Sequence, residues 1–210
     1  MKCLIFAMVL LPAMAALLSG CGGSQEAEKH FLAGAALQER GQQEEAILSY
    51  AKAIEADPEH AGAYFGRGSA YHDLLQYQKA IQDYDEAIRL DPQRVEVYCR
   101  RGKAYYGLGQ YEKSIVGFDE AIGLKPQDAD AYHSRGLAYF SLGRYQRSME
   151  DFDQAIRLDP KLEDSYTRRV MVFTLLAQDP EAQGAVDLAV ESGVDRAFLE
   201  QYIKSLKMVR

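Results

Sequence analysis

Pro58, Pro92, Pro126 and Pro160 stand 34 residues apart, and a chain punctuated at so constant an interval is built from like units. Aligning on them divides the chain into 27–60, 61–94, 95–128 and 129–162. In register fall Tyr64, Tyr98 and Tyr132, then Gly68, Gly102 and Gly136, then Tyr71, Tyr105 and Tyr139. The second half of each unit repeats as well. Ala46, Ala80, Ser114 and Ser148 form one small-residue column, and Ala53, Ala87, Ala121 and Ala155 another. Between them lies an aromatic column of Tyr50, Tyr84, Phe118 and Phe152.

Spacings of 4 and 3, as in Tyr64, Gly68 and Tyr71, put those residues on one face of a helix. A glycine in that face is a notch into which a second helix can sink, with aromatic rings filling the space around it. Gly41, Gly109 and Gly143 stand where the first helix must stop, as left-handed C-terminal caps. Leu75 occupies that place in the second unit, where a left-handed backbone is strained for a side chain with a Cβ. The second helix then runs to the proline, usually as Asp-Pro, which cannot continue it. Each unit reads as helix, turn, helix, turn. Of 14 Tyr, only Tyr106 and Tyr202 fall outside the repeat columns, so most of the aromatic content is scaffold.

A fainter fifth unit, 163–194, keeps Tyr166 and Phe173 but has Val170 for the glycine, Val186 for the aromatic and Val194 for the proline. Its second helix is expected to start near Asp179-Pro180. From Asp195 to Met208, Phe198, Leu199, Tyr202, Ile203 and Leu206 recur at helical spacing, and residues 195–210 read as a helix capping the array's apolar end.

This 34-residue pattern resembles the tetratricopeptide repeat (TPR) family. The resemblance implies an all-α, right-handed TPR α-solenoid with four clear helix-pair repeats, one degenerate repeat and a C-terminal capping helix. It further implies a protein-binding scaffold without catalytic activity.

Ahead of the array, Met1 and Lys2 precede an apolar run from Cys3 to Leu18 interrupted by Pro12, the layout of a secretory leader. Leu18-Ser19-Gly20-Cys21 follows and resembles the lipobox of bacterial lipoproteins. That resemblance implies a signal peptide at 1–20, lipid on the Cys21 thiol and a lipidated tether at 21–26 containing Gly22, Gly23 and Ser24. With no Asp at position 22 it also implies the outer membrane, facing the periplasm, in a two-membrane bacterium. More than one acyl chain is what makes such anchoring stable.

The composition narrows function further. With 24 Lys plus Arg against 31 Asp plus Glu, the net charge of −7 argues against a nucleic-acid binder. Of three Cys, Cys3 leaves with the leader, so only Cys21 and Cys99 remain and a disulfide framework is excluded. Metal, nucleotide and hydrolase motifs are missing, and no cofactor is implied. His72 and His133 belong to units two repeats apart, roughly 20 Å for neighbouring helices spaced as usual, too far to share a metal. Cys99 with His133 is the one pairing that would make a thiol enzyme; a half-buried thiol in a groove wall is the plainer reading. The recurring Arg67, Arg101, Arg135 and Arg169 are expected to stack on Tyr or bond a carboxylate of a neighbouring helix. The acidic residues of the second helices, Asp83 and Asp151 among them, read as a solvated outer face.

In TPR proteins the first helices line a concave groove. Carried over by position, its contacts here are Phe65, His72, Cys99, Lys103, Tyr106, His133 and Phe140, with Phe65, Tyr106 and Phe140 able to meet one extended peptide or, equally, to pack on adjacent helices. The sum is an envelope adaptor whose protein partners serve pilus assembly or secretion, outer-membrane protein insertion, or peptidoglycan enzymes. The competing uses are self-association through the array ends, giving a homo-oligomer, and the thiol enzyme.

Overall fold

The computed structural model describes the backbone of residues 7–176 and 179–208, with side chains at 23–176 and 181–208. Among the described residues there are eleven helices and no strand: α1 (Ala7–Glu39), α2 (Gln43–Ala56), α3 (Ala61–Asp73), α4 (Tyr77–Leu90), α5 (Val95–Gly107), α6 (Tyr111–Leu124), α7 (Ala129–Ser141), α8 (Tyr145–Leu158), α9 (Glu163–Leu175), α10 (Asp179–Glu191) and α11 (Arg196–Met208). Two compact units divide them, Met1–Val97 and Tyr98–Arg210.

The breaks between helices are those the period dictates. Gly41, Gly109 and Gly143 have φ of +75°, +71° and +69°, and the leucine in their column, Leu75, is forced to +58°. It is the one described non-glycine residue with positive φ. The second helices end at Asp57, Asp91, Lys125 and Asp159, each immediately before a proline. The three aspartates accept a hydrogen bond from the backbone two residues on.

The glycine notch is occupied as expected. A Cβ on Gly68, Gly102 or Gly136 would stand 2.9, 2.9 or 2.8 Å from the ring of Tyr84, Phe118 or Phe152. These three rings are essentially inaccessible to solvent. In the fifth repeat both partners change together. Val170 fills the notch, and Val186 takes less room opposite it, in a buried cluster with Ala185, Ala189, Val194 and Leu199. The repeat that looks degenerate in sequence therefore keeps its packing by a paired exchange of volume.

α11 covers the end of that cluster through Leu199 and Ile203, with Asp195 capping its start by accepting from the Phe198 N–H. The side chains of Asp179 and Pro180, expected to start α10, lie outside the described residues.

Residues 21–26, expected as a flexible tether, are instead part of α1. Glu26 pairs with Lys29 and His30 one turn on, and Ala27 is fully buried, so the helix of the first repeat continues upstream. Residues 1–6 and the side chain of Cys21 lie outside the described residues. Among the described residues no helix is long and apolar enough to cross a membrane.

Candidate protein-binding face

The arginine column is structural, and it overturns the reading of two of the acidic residues, Asp83 and Asp151, as part of a solvated face; Asp85, Asp119, Glu120 and Glu150 are exposed as expected. Arg67 donates to both carboxylate oxygens of Asp83 at 2.8 and 2.7 Å, and Arg135 to both oxygens of Asp151 at 2.9 and 2.6 Å. Asp83 and Asp151 are only 5% and 4% exposed. Burial raises both carboxyls above their ordinary range while the guanidinium bonds oppose it. Arg135 also reaches Asp119 at 2.6 Å, and together these bonds hold it above its usual value and fully charged. Each guanidinium further lies over a ring, Arg67 over Tyr64, Arg101 over Tyr98, Arg135 over Tyr132 and Arg169 over Phe173. These cations serve the scaffold.

On the first helices, the fold separates the expected contact residues into packed and presented ones. In the first unit, Phe65 lies 6.0 Å from the Tyr84 ring and under the Arg94 guanidinium at 4.1 Å, so it is sandwiched. His72, half-buried, meets Tyr77 edge-on at 5.2 Å.

In the second unit, His133 is buried against Phe152. Its Nδ1 lies 2.8 Å from Ser165 Oγ and its Nε2 3.1 Å from Asp164. Burial lowers its pKa, with the Asp164 charge opposing. Cys99 is half-buried, and burial, aided by the Asp128 charge, pushes its thiol up to about 11. A neutral thiol and an imidazole whose two nitrogens are already engaged do not form a nucleophile and its base. Among the described residues no group of three or more His, Cys, Asp or Glu is placed to hold a metal.

Tyr106 and Phe140 form a column of their own. Each is half-buried and leans on the first tyrosine of the following helix: Tyr106 on Tyr111 at 5.2 Å and Phe140 on Tyr145 at 5.5 Å. His72 does the same on Tyr77. Tyr106 also shares a hydrogen bond with Ser141 at 3.0 Å and packs beside Ile115, Ala138 and Tyr139. The position therefore belongs to the packing as well as to the face, against the expectation that it lay outside the repeat columns. Lys103 is exposed on the same helix as Tyr106.

What sequence columns missed is how much of this face is pre-organised. The signal was the recurrence, 34 residues apart, of a ring at 72, 106 and 140 five residues before a tyrosine.

Residues 34–74, 76–109 and 105–143 match a family profile described as TPR repeat, and 129–162 one described as tetratricopeptide repeat. No curated protein matches the chain. Among solved structures, the crystal structure of MamA is 26% identical with a TM-score of 0.73, over 76% of this chain and 93% of that one. YrrB, described as a TPR protein with an unusual peptide-binding site, is 20% identical with a TM-score of 0.72, over 83% and 90%. PilF of Pseudomonas aeruginosa is 19% identical with a TM-score of 0.74, over 89% and 86%.

Proposed function

The chain belongs to the tetratricopeptide-repeat family, and on that premise we propose that it is a non-catalytic adaptor, held at a bacterial cell envelope by lipid on Cys21, that grips segments of partner proteins on the first-helix face of its second unit. That it is a protein-interaction scaffold follows from its repeats and its neighbours. The observation that carries the finer reading is the half-exposed Tyr106 and Phe140, each held in place by a tyrosine behind it. A ring fixed before binding gives contact area at little cost in conformational entropy. The peptide-binding site in the description of YrrB supports the same use of this fold.

With a partner recovered by co-purification, calorimetry is the test. Tyr106→Ala is expected to cost on the order of 2 kcal/mol, as an aromatic hot spot does. Lys103→Ala is expected to cost less and chiefly to alter the salt dependence. Because Tyr106 also packs on Tyr111, helicity is recorded alongside. Unchanged affinity in Tyr106→Ala counts against the face.

The anchor is tested separately. Cys21→Ser is expected to leave unprocessed precursor or soluble protein, and wild-type protein recovered wholly in the soluble fraction overturns it.

A further inference from the structure

Gly23 belongs to a Gly-Gly-Ser stretch with the composition of a tether, yet it is packed. A Cβ there would stand 2.9 Å from the carbonyl oxygen of Ala56, the last residue of α2, so this glycine serves the close approach of two backbones and not flexibility. Four residues on, Ala27 is fully buried. Two further contacts hold the same part of α1 to the start of α3. The Phe31 ring lies 4.9 Å from that of His60. His60 Nδ1 accepts from the Ala63 N–H at 3.1 Å, which leaves the proton on Nε2 to be donated to Glu28 at 3.2 Å. The beginning of α1 is therefore fixed to the turn 57–60 that joins α2 to α3.

The other end of α1 is tied as firmly. Gln38 accepts from the Tyr50 hydroxyl at 3.0 Å and donates at 3.3 Å to Asp73, the last residue of α3. α1 thus crosses the first unit from edge to edge, antiparallel to α2 and parallel to α3, and Gly23 to Glu39 is a rise of about 24 Å at about 1.5 Å per residue. Cys21 stands in the same helix just before Gly23, about 3 Å along its axis.

We infer that lipid on Cys21 is a rigid mount: the edge of the first unit formed by the turn 57–60 sits at the headgroups of the bilayer, and the opposite edge, at Arg40 and Leu75, points into the aqueous space. A lipid surface is the occupant because the anchor leaves no slack between the acylated residue and the packed part of α1. The flank of α1 does not compete for the bilayer. A helix that lies on a membrane needs an apolar face. That of α1 is taken up by the array through Ala27, Phe31 and Gly34, and among its described side chains Leu32 is the one large apolar group left exposed, near Glu28 and Lys29. The membrane-facing edge itself exposes Glu55 and Glu59, which anionic lipid repels, so the mount holds it there and charge does not.

The inference rests on the lipid proposed above, and the experiment separates the two. The full chain, carrying Cys99→Ser, is expressed in a bacterium that processes lipoproteins and purified from its membranes, and mass spectrometry reads the lipid on Cys21. A fluorophore is attached at Glu59→Cys or at Arg40→Cys, both positions being exposed. The labelled proteins are reconstituted into phosphatidylcholine vesicles bearing nitroxide on a fraction of the headgroups. Quenching severalfold stronger at 59 than at 40 is expected, with no change between low and high salt. A Ser/Gly stretch inserted between Gly22 and Gly23 leaves the packed residues in place and is expected to abolish the difference, because a flexible link lets the unit tumble. An unchanged melting temperature shows that the insertion spares the fold.

Equal quenching at the two positions without the insertion, or stronger quenching at 40, overturns the inference and leaves the anchor standing when the lipid is present. A difference that survives the insertion also overturns it, since the edge is then held by its own affinity for the surface. Cys21 without lipid overturns the anchor and the inference with it.

Discussion

Gly136 and Phe152 share one space: a Cβ on the glycine would lie 2.8 Å from Cε1 of the ring, and 3.2 Å from Cβ of Asp151, the carboxylate that holds Arg135. A single hydrogen atom at position 136 thus sets the approach of α7 to α8 and the placement of the buried ion pair.

Gly136→Ala is expected to destabilise the second unit by about 1–3 kcal/mol, the usual cost of overpacking. The fifth repeat supplies the remedy. Val170 and Val186 stand in the same two columns, so adding Phe152→Val to a Gly136→Val variant is expected to recover part of the loss, a coupling that a double-mutant cycle by chemical denaturation measures. Additive losses would mean that the fifth repeat packs for other reasons.

Leu75 sits at φ +58° with its side chain 69% exposed, so its replacement removes strain and forfeits little burial. Leu75→Gly is expected to stabilise the protein by about 0.5–1 kcal/mol, the left-handed penalty less the entropy a glycine adds to the unfolded chain. Thermal unfolding checks this. A lower midpoint would show that the leucine makes a contact of its own.

Cys99 is expected to resist alkylation near neutral pH, where a thiol raised to about 11 is ionised in only about one molecule in ten thousand. Because the folded value lies above the ordinary one, the rate is expected to climb about tenfold per pH unit through the alkaline range, and unfolding to accelerate it. Iodoacetamide labelling followed by mass spectrometry reads this directly. Rapid labelling of the folded chain at neutral pH would revive the thiol-enzyme reading.

Helix boundaries and caps were legible because they depend on residues with few conformational substitutes. Glycine at 41, 109 and 143 and proline at the 34-residue interval dictate where the chain must turn, and even the strain at Leu75 could be read from its column. The buried carboxylates were not legible. Asp83 and Asp151 stand in one column, but Ser49, Gly117 and Ala185 fill it elsewhere. No periodic signal therefore separated them from exposed neighbours such as Asp119 and Glu120. Burial of a charge depends on its partner, and Arg67 and Arg135 lie 16 residues upstream on another helix.

The candidate face was legible by position but not by state. Phe65 and His133 hold contact columns yet are taken up by Arg94 and Tyr84, and by Ser165, Asp164 and Phe152. The place of α11 was legible from its apolar stripe, although Val194 stands where the earlier repeats have proline, and Leu199 and Ile203 of that stripe are what meets the fifth-repeat cluster.

The central claim, that a partner lies on the first-helix face of the second unit, is tested most directly by site-specific photo-crosslinking in the cell. A photoreactive residue is placed in turn at Lys103 and Phe140 on the first helices, and at Val116 on α6, which is 54% exposed. Discrete protein adducts from positions 103 and 140, with none from 116, are the result this account predicts; adducts from 116 alone would contradict it.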